Sequence, residues 1–153
     1  PTVVVGKDRL DIEKHLTNWG VTSIYNAQWK MGMGLSIATA VQNMGTKTSA
    51  VLLMTCDQVL LNSDTLKPLI KLWQSQPEHI IASSYNGVIG IPVIFPERYF
   101  SELIYLKSDK GAREILQKYH KDVMHFDLPL AAQDLDTLAD EVVIRGIIEG
   151  GNS

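Results

Sequence analysis

The sequence predicts an α/β fold of three layers, with a mostly parallel sheet, helices on both faces and one local antiparallel hairpin. Three observations predict it. Short, β-branched apolar runs alternate along the chain with amphipathic stretches of helical period. The run Ala50-Val51-Leu52-Leu53-Met54 is apolar on both faces, as a strand covered by helices on either side must be. Asn86-Gly87, set between two apolar runs, is the strongest short-range signal for a hairpin. No stretch is rich enough in Pro, Gly or Ser to serve as a linker and no repeat is visible, so the 153 residues read as one domain.

Taken in order, residues 3–5 (Val-Val-Val) form the first strand. Asp8 caps a helix running to about residue 19, with Leu10, Ile12 and Leu16 as its apolar side, and Gly20 suits the left-handed position that ends it. Residues 21–25 are the next strand and 26–34 a loop. A helix over 35–44 carries Ile37, Val41 and Met44 at i, i+4 and i+7 and stops at Gly45. The strand at 50–55 is expected at the centre of the sheet. Asn62 or Ser63 caps the next helix, which Pro68 should shorten or bend before about residue 74. Strand 79–84 turns at Asn86-Gly87 into a return strand over 92–95, with Pro92 at its start or on an edge. Helices follow over 97–106 and 110–119, the second with Ala112, Ile115, Leu116 and Tyr119 on one face. A short strand follows at 123–126, and residues 138–148 form a last helix or a fraying tail.

Composition narrows the function. Lys plus Arg is 14 and Asp plus Glu is 17, so the net charge is −3. A main task of coating nucleic acid or an anionic membrane is therefore not expected, because both need basic faces. No apolar run approaches the ~18 residues of a membrane helix. The single cysteine, Cys56, excludes a disulfide framework and a Cys-based zinc site, and a reducing cytoplasmic setting is the simplest fit. Cys56 itself reads as a buried, inert thiol.

Four groups of residues can carry chemistry. Asp57 directly follows the most hydrophobic strand, where parallel sheets place their ligands. A carboxylate there is suited to Mg²⁺, which takes one or two carboxylates and completes its shell with phosphate oxygens and water. A solvated loop carboxylate is the plainer reading. Asp134 and Asp136 lie two apart, on one side of an extended chain, and can supply further metal ligands. The loop Met31-Gly32-Met33-Gly34-Leu35-Ser36 opens a helix, whose free N–H groups suit a base, ribose or phosphate. Its spacing fits neither standard phosphate loop. In Ser108-Asp109-Lys110-Gly111-Ala112-Arg113, Asp109 is a natural N-cap, and Lys110 and Arg113 can face an anion. A capped surface helix serves equally well there. His15, His79, His120 and His125 lie on separate elements and read as ordinary histidines.

Together these pieces resemble the MobA-like nucleotidyltransferases, most closely the branch that attaches a nucleotide to molybdopterin. The family's N-P-x-W-x-x-G-M-x-x-S-L is matched from Asn26 through Trp29, Gly32, Met33, Gly34 and Ser36 to Ile37. Its D-Q-P is Asp57-Gln58-Val59, and its G-x-P-V-x-F is Gly90-Ile91-Pro92-Val93-Ile94-Phe95. Its G-D-x-G-A-R is the stretch from Ser108 to Arg113, and its D-x-D-T-P-x-D begins at Asp134. The five motifs occur in family order over nearly the whole chain.

The resemblance implies a Rossmann-like, nucleotide-diphospho-sugar transferase type of fold. It also implies Mg²⁺-dependent transfer of a nucleotidyl group from CTP or GTP to a phosphorylated acceptor such as molybdopterin, with release of pyrophosphate. By this resemblance Asp57 is the catalytic residue and binds Mg²⁺ with Asp134 or Asp136. Gly32, Met33, Gly34, Ser36 and Gln58 lie at the nucleotide. Asn26, Gly90, Pro92, Asp109, Lys110 and Arg113 lie toward the acceptor. A molybdoenzyme that receives the product is the implied protein partner. Val59, Ser108 and Leu138 depart from the family residues, and Ile91 stands where a histidine is common. The family's opening L-A-A-G-x-S-x-R-M-G loop is absent, so the chain reads as a domain short of its first β–loop–α unit. Alternatives are a non-catalytic accessory or binding protein on the same fold, and a sugar-phosphate nucleotidyltransferase.

Overall fold

A computed structural model of the protein describes residues 1–107, 109–135 and 137–150. The chain divides into two compact units. Residues 1–51 and 97–120 form the first, and residues 52–96 and 121–153 the second.

The first unit opens with the parallel pair β1 (Thr2–Val5) and β2 (Thr22–Tyr25), in which Thr2 lies opposite Thr22 and Val5 opposite Tyr25. Between them runs α1 (Arg9–Leu16), extended by a 3-10 turn at Thr17–Trp19 and stopped at Gly20, whose φ is 61°. The expected apolar side of α1 is not buried, and Leu10 is 71% exposed. At 3.6 residues per turn Leu10 lies about 120–160° around the helix from Ile12 and Leu16, so the three cannot share a face. Helix α2 (Met33–Gln42) starts two residues before the sequence predicts and buries Gly34, Ala38 and Val41. α4 (Phe100–Leu103) and α5 (Arg113–Lys118) are shorter than expected. They bury Leu103, Ile115 and Leu116, and Ala112 is buried just ahead of α5, so the predicted inner face of α5 is found. Tyr99 and Tyr119 meet edge to face with their ring centroids 5.1 Å apart.

β3 (Ala50–Leu53) carries the chain into the second unit, whose sheet runs in the order β3-β5-β4-β6. β3 is thus the last strand of this row and not its centre. The hairpin strand β5 (Val88–Pro96) takes the place beside β3, antiparallel to β4 (Ile80–Tyr85). β4 is paired in parallel on its other side with β6 (Val123–Asp127). The fold is α/β as predicted, but the strands fall into two sheets and the larger one is mixed. The hairpin turn is the expected one. Asn86 and Gly87 adopt φ of 50° and 75°, the doubly left-handed turn whose twist matches its strands.

Helix α3 (Ser63–Ser75) runs unshortened through Pro68. The Asn62 side chain accepts from the N–H groups of Asp64 and Thr65, and the Thr65 hydroxyl accepts from the Asn62 N–H, a complete capping box. Leu69, Ile80, Ile81, Ala82, Val93 and Phe95 form a fully buried core. α6 (Leu138–Gly150) is the final helix and buries Ile144.

Pro92 sits in the interior of β5, not at a start or an edge. Ala82 pairs with Val93 while Ser83 pairs with Gly90, so Ile91 and Pro92 bulge without a partner on β4. The bulge admits a residue with no N–H into a central strand. Two side chains take up the carbonyls it frees. Ser83 Oγ donates to the Pro92 carbonyl at 2.7 Å, and Gln58 Nε2 donates to the Ile91 carbonyl at 3.2 Å.

Candidate functional site

The predicted site residues fall into two groups, one in each unit. In the first unit the loop after β2 meets the start of α2. Asn26 is 4% exposed, and its backbone N–H donates to the carbonyl of Val5. Its side-chain Oδ1 accepts from the Gln28 N–H at 2.9 Å, and its Nδ2 donates to Ser36 Oγ at 3.1 Å. Asn26, expected at the acceptor, therefore ties the end of β2 to α2. Ser36, expected at the nucleotide, is its acceptor.

Gly32 has φ 109° and ψ 172°, a combination reserved for glycine. A Cβ there would lie 2.0 Å from Asp109 Oδ1. The Asp109 carboxylate thus lies against the backbone that opens α2. The same approach brings Gly111 against Met33 and Ile37. Sequence placed Asp109 as the cap of its own helix, but α5 begins only at Arg113, with Ala112 as its N-cap residue. The carboxylate is used across the unit, where negative charge complements the start of α2. The loop read as nucleotide-binding and the segment read as acceptor-binding therefore form one cluster. Its exposed groups are Met33, Asp109, Lys110 and Arg113, while Gly34 is buried. Ser108 lies outside the described residues.

In the second unit Asp57 follows β3 and is half-buried. Thr55 Oγ1 donates to Asp57 Oδ1, a partner that sequence reasoning missed although it lies two residues upstream. The Asp57 backbone carbonyl accepts from the Leu135 N–H at 2.9 Å. This bond sets the segment holding exposed Asp134 beside the Asp57 turn. Two carboxylates on adjoining segments are hard oxygen donors of the kind Mg²⁺ or Mn²⁺ takes, a cation that usually completes its shell with substrate oxygens and water. Asp136 lies outside the described residues. Among the described residues no group of three His, Cys, Asp or Glu side chains is placed to hold a metal without help from substrate.

Gln58, expected at the nucleotide, is 3% exposed. Its Nε2 donates to the Ile91 carbonyl and, at 3.0 Å, to the Ala131 carbonyl. The structure gives it the work of a brace. Pro92, expected at the acceptor, is fully buried and offers a ligand no surface, while Gly90 is half-buried. Ser83, also missed, is fully buried and braces the same bulge. Cys56 is exposed, not buried as predicted, because the turn after β3 points it outward while Gln58 goes in. Among the described residues no helix is long and apolar enough to cross a membrane.

Known proteins resemble this chain in sequence or in fold. The purine catabolism protein PucB of Bacillus subtilis is 34% identical over 89 residues, a stretch covering 56% of this chain and 41% of PucB. The Rv0371c protein of Mycobacterium tuberculosis, solved in complex with manganese, superposes with a TM-score of 0.75 at 20% identity, covering 94% of this chain and 75% of that one. The molybdopterin-guanine dinucleotide biosynthesis protein A of Archaeoglobus fulgidus gives 0.70 at 14% identity, covering 97% and 78%. The 4-diphosphocytidyl-2C-methyl-D-erythritol synthase of Anaerococcus prevotii gives 0.75 at 10%, also covering 97% and 78%. The last three likenesses establish a common fold. The MobA-like NTP transferase domain matches residues 1–123, and on that match the chain belongs to the MobA-like NTP transferase family.

Proposed function

We propose that this chain transfers a nucleotidyl group from an NTP, CTP or GTP, to a phosphorylated small molecule of the molybdopterin type and releases pyrophosphate. The observation that carries the reading is the pairing of Asp57 with the Asp134 segment through the Leu135–Asp57 bond, at the end of an apolar strand. Family membership and the manganese-containing structural neighbour support a divalent cation at these carboxylates.

When bound, the cation would neutralise phosphate charge and polarise the α-phosphate. The protein's own groups have simpler tasks. Asp57 offers one carboxylate oxygen to the cation, while Thr55 holds the other and fixes the rotamer. Asp134 adds charge from the adjoining segment. Within the first unit, Met33, Lys110 and Arg113 are exposed apolar and cationic groups of the kind that a base or a phosphate can lie against. Attack by a phosphate oxygen of the acceptor requires no nucleophile from the protein.

The test is calorimetric titration with CTP, GTP and ATP in the presence of Mg²⁺, followed by pyrophosphate release with molybdopterin. Asp57→Asn should lower turnover by more than about a hundredfold, the scale on which losing one charge-stabilising group acts. Absence of binding by any of the three nucleotides would refute the proposal.

A further inference from the structure

The DQ dipeptide puts an acid and an amide side by side, yet the structure sends them in opposite directions. Asp57 is half-open to solvent and Gln58 is 3% exposed. A buried amide must be hydrogen-bonded. Gln58 Nε2 spends both its hydrogens on main-chain carbonyls, Ile91 in the bulge of β5 and Ala131 in the turn before Asp134. The amide orientation is fixed by this, since a flip would set Oε1 against two carbonyls. Among the described residues Oε1 has no partner, so the nitrogen alone carries the connection.

Three chain segments therefore meet on one side chain. The Asp57 turn supplies it, the bulge accepts from it, and the 131–135 segment accepts from it while returning the Leu135 N–H to the Asp57 carbonyl. The register with β4 breaks at the bulge, and the half-buried Ile91 carbonyl takes its hydrogen bond from Gln58 instead.

We propose that Gln58 is a positioning residue. It clamps the Asp57 turn to the Asp134 segment and so sets the spacing of the two carboxylates for a divalent cation. This rests on the reading of Asp57 as a metal ligand. Partners one step behind a ligand commonly govern affinity by 10–100-fold.

The test uses the whole chain and two readouts. Free Mn²⁺ is measured by electron paramagnetic resonance during titration with Mn²⁺ in the presence of CTP, and amide exchange is followed at Leu135. Gln58→Met keeps the side-chain length and removes both hydrogen bonds. It should weaken Mn²⁺ binding by about tenfold or more and speed exchange at Leu135. Gln58→Asn is a milder variant, too short to reach both carbonyls, and should give intermediate values if the Met variant does not fold. Leu69→Ala, a core change elsewhere in the same unit, should lower stability while leaving Mn²⁺ affinity as in wild type. Equal Mn²⁺ affinity and unchanged Leu135 exchange in the Gln58 variants would overturn the clamp. If wild type and Asp57→Asn bind Mn²⁺ equally, the metal reading of Asp57 falls, and the role of Gln58 toward the cation with it. The exchange data then decide whether the clamp itself exists.

Discussion

Gly32→Ala should be among the most damaging single-methyl changes in the chain. At φ 109° and ψ 172° the backbone is in a region that only glycine occupies without strain, and forcing alanine there costs about 1–3 kcal/mol. The added Cβ would also stand 2.0 Å from Asp109 Oδ1 and 3.0 Å from Asp109 Cα. Rotation of the Asp109 side chain can relieve the first contact but not the second, so the 109–111 turn must move. Overpacking of this kind costs a further ~1–3 kcal/mol. The sum, about 2–6 kcal/mol, is a large share of a domain's stability. For a chain of this length each kcal/mol lowers Tm by about 2–4 °C. Urea unfolding followed by tryptophan fluorescence would measure the loss. The double variant Gly32→Ala/Asp109→Ala should recover the part due to the carboxylate and leave the backbone strain. A Gly32→Ala protein within about 0.5 kcal/mol of wild type would refute the reasoning, since that is the range of featureless surface changes.

Other outcomes follow from the same geometry. Asn26→Ala leaves the Gln28 N–H and the Ser36 hydroxyl without their partner and should cost about 1–3 kcal/mol, read by chemical denaturation. Leu69→Ala empties a fully buried site in α3 and should cost about 2–5 kcal/mol by the same method. Asn62→Ala removes the capping box of α3 and should cost about 1 kcal/mol, visible as lost helical signal on heating. Hydrogen bonds from Lys118 and then from Tyr119 hold the Glu102 carboxyl below its ordinary value of 4.5. The bonds to Glu102 and then Tyr119 hold the Lys118 amine above 10.5. A lowered acid stabilises the fold above 4.5 and loses that contribution as pH falls through its folded value. A raised base stabilises below 10.5 and loses its contribution as pH rises through its folded value. Glu102→Gln should therefore flatten both limbs of the stability–pH curve. The effect should be small and salt-sensitive, because the pair is open to solvent.

Much of the fold was legible because its signals are local. Asn62 marks a helix start by its own side-chain chemistry, and Asn86-Gly87 marks a turn by its backbone freedom. The inner face of α5 shows in the spacing of Ala112, Ile115 and Leu116. What stayed hidden depends on residues far apart in the chain. Pro92 reads as an edge residue until Ser83 and Gln58 are seen to take up the carbonyls its bulge frees. Asp109 reads as a cap until Gly32 is seen beneath it. Gln58 is placed at the nucleotide by the family motif, and only the paths of residues 91 and 131 show that its amide is buried and bonded to both. Leu10 misled for a simpler reason, since three apolar residues at i, i+2 and i+6 do not make a helical face.

The division of the chain has a consequence for its synthesis. Each unit is assembled from two stretches, 1–51 with 97–120 and 52–96 with 121–153, so the polypeptide passes from one to the other three times. A ribosome releasing residue 96 has supplied all of β4 and β5 but not β6, and only the first of the two stretches of the first unit. Neither unit can close until its second stretch emerges, and the apolar strands β3 and β4 must wait through that interval. Translation at about 5–20 residues per second makes this a delay of seconds, during which exposed strand edges favour association with other chains. Expression at lower temperature or with a holding chaperone should therefore raise the soluble yield more than any single stabilising substitution in either unit.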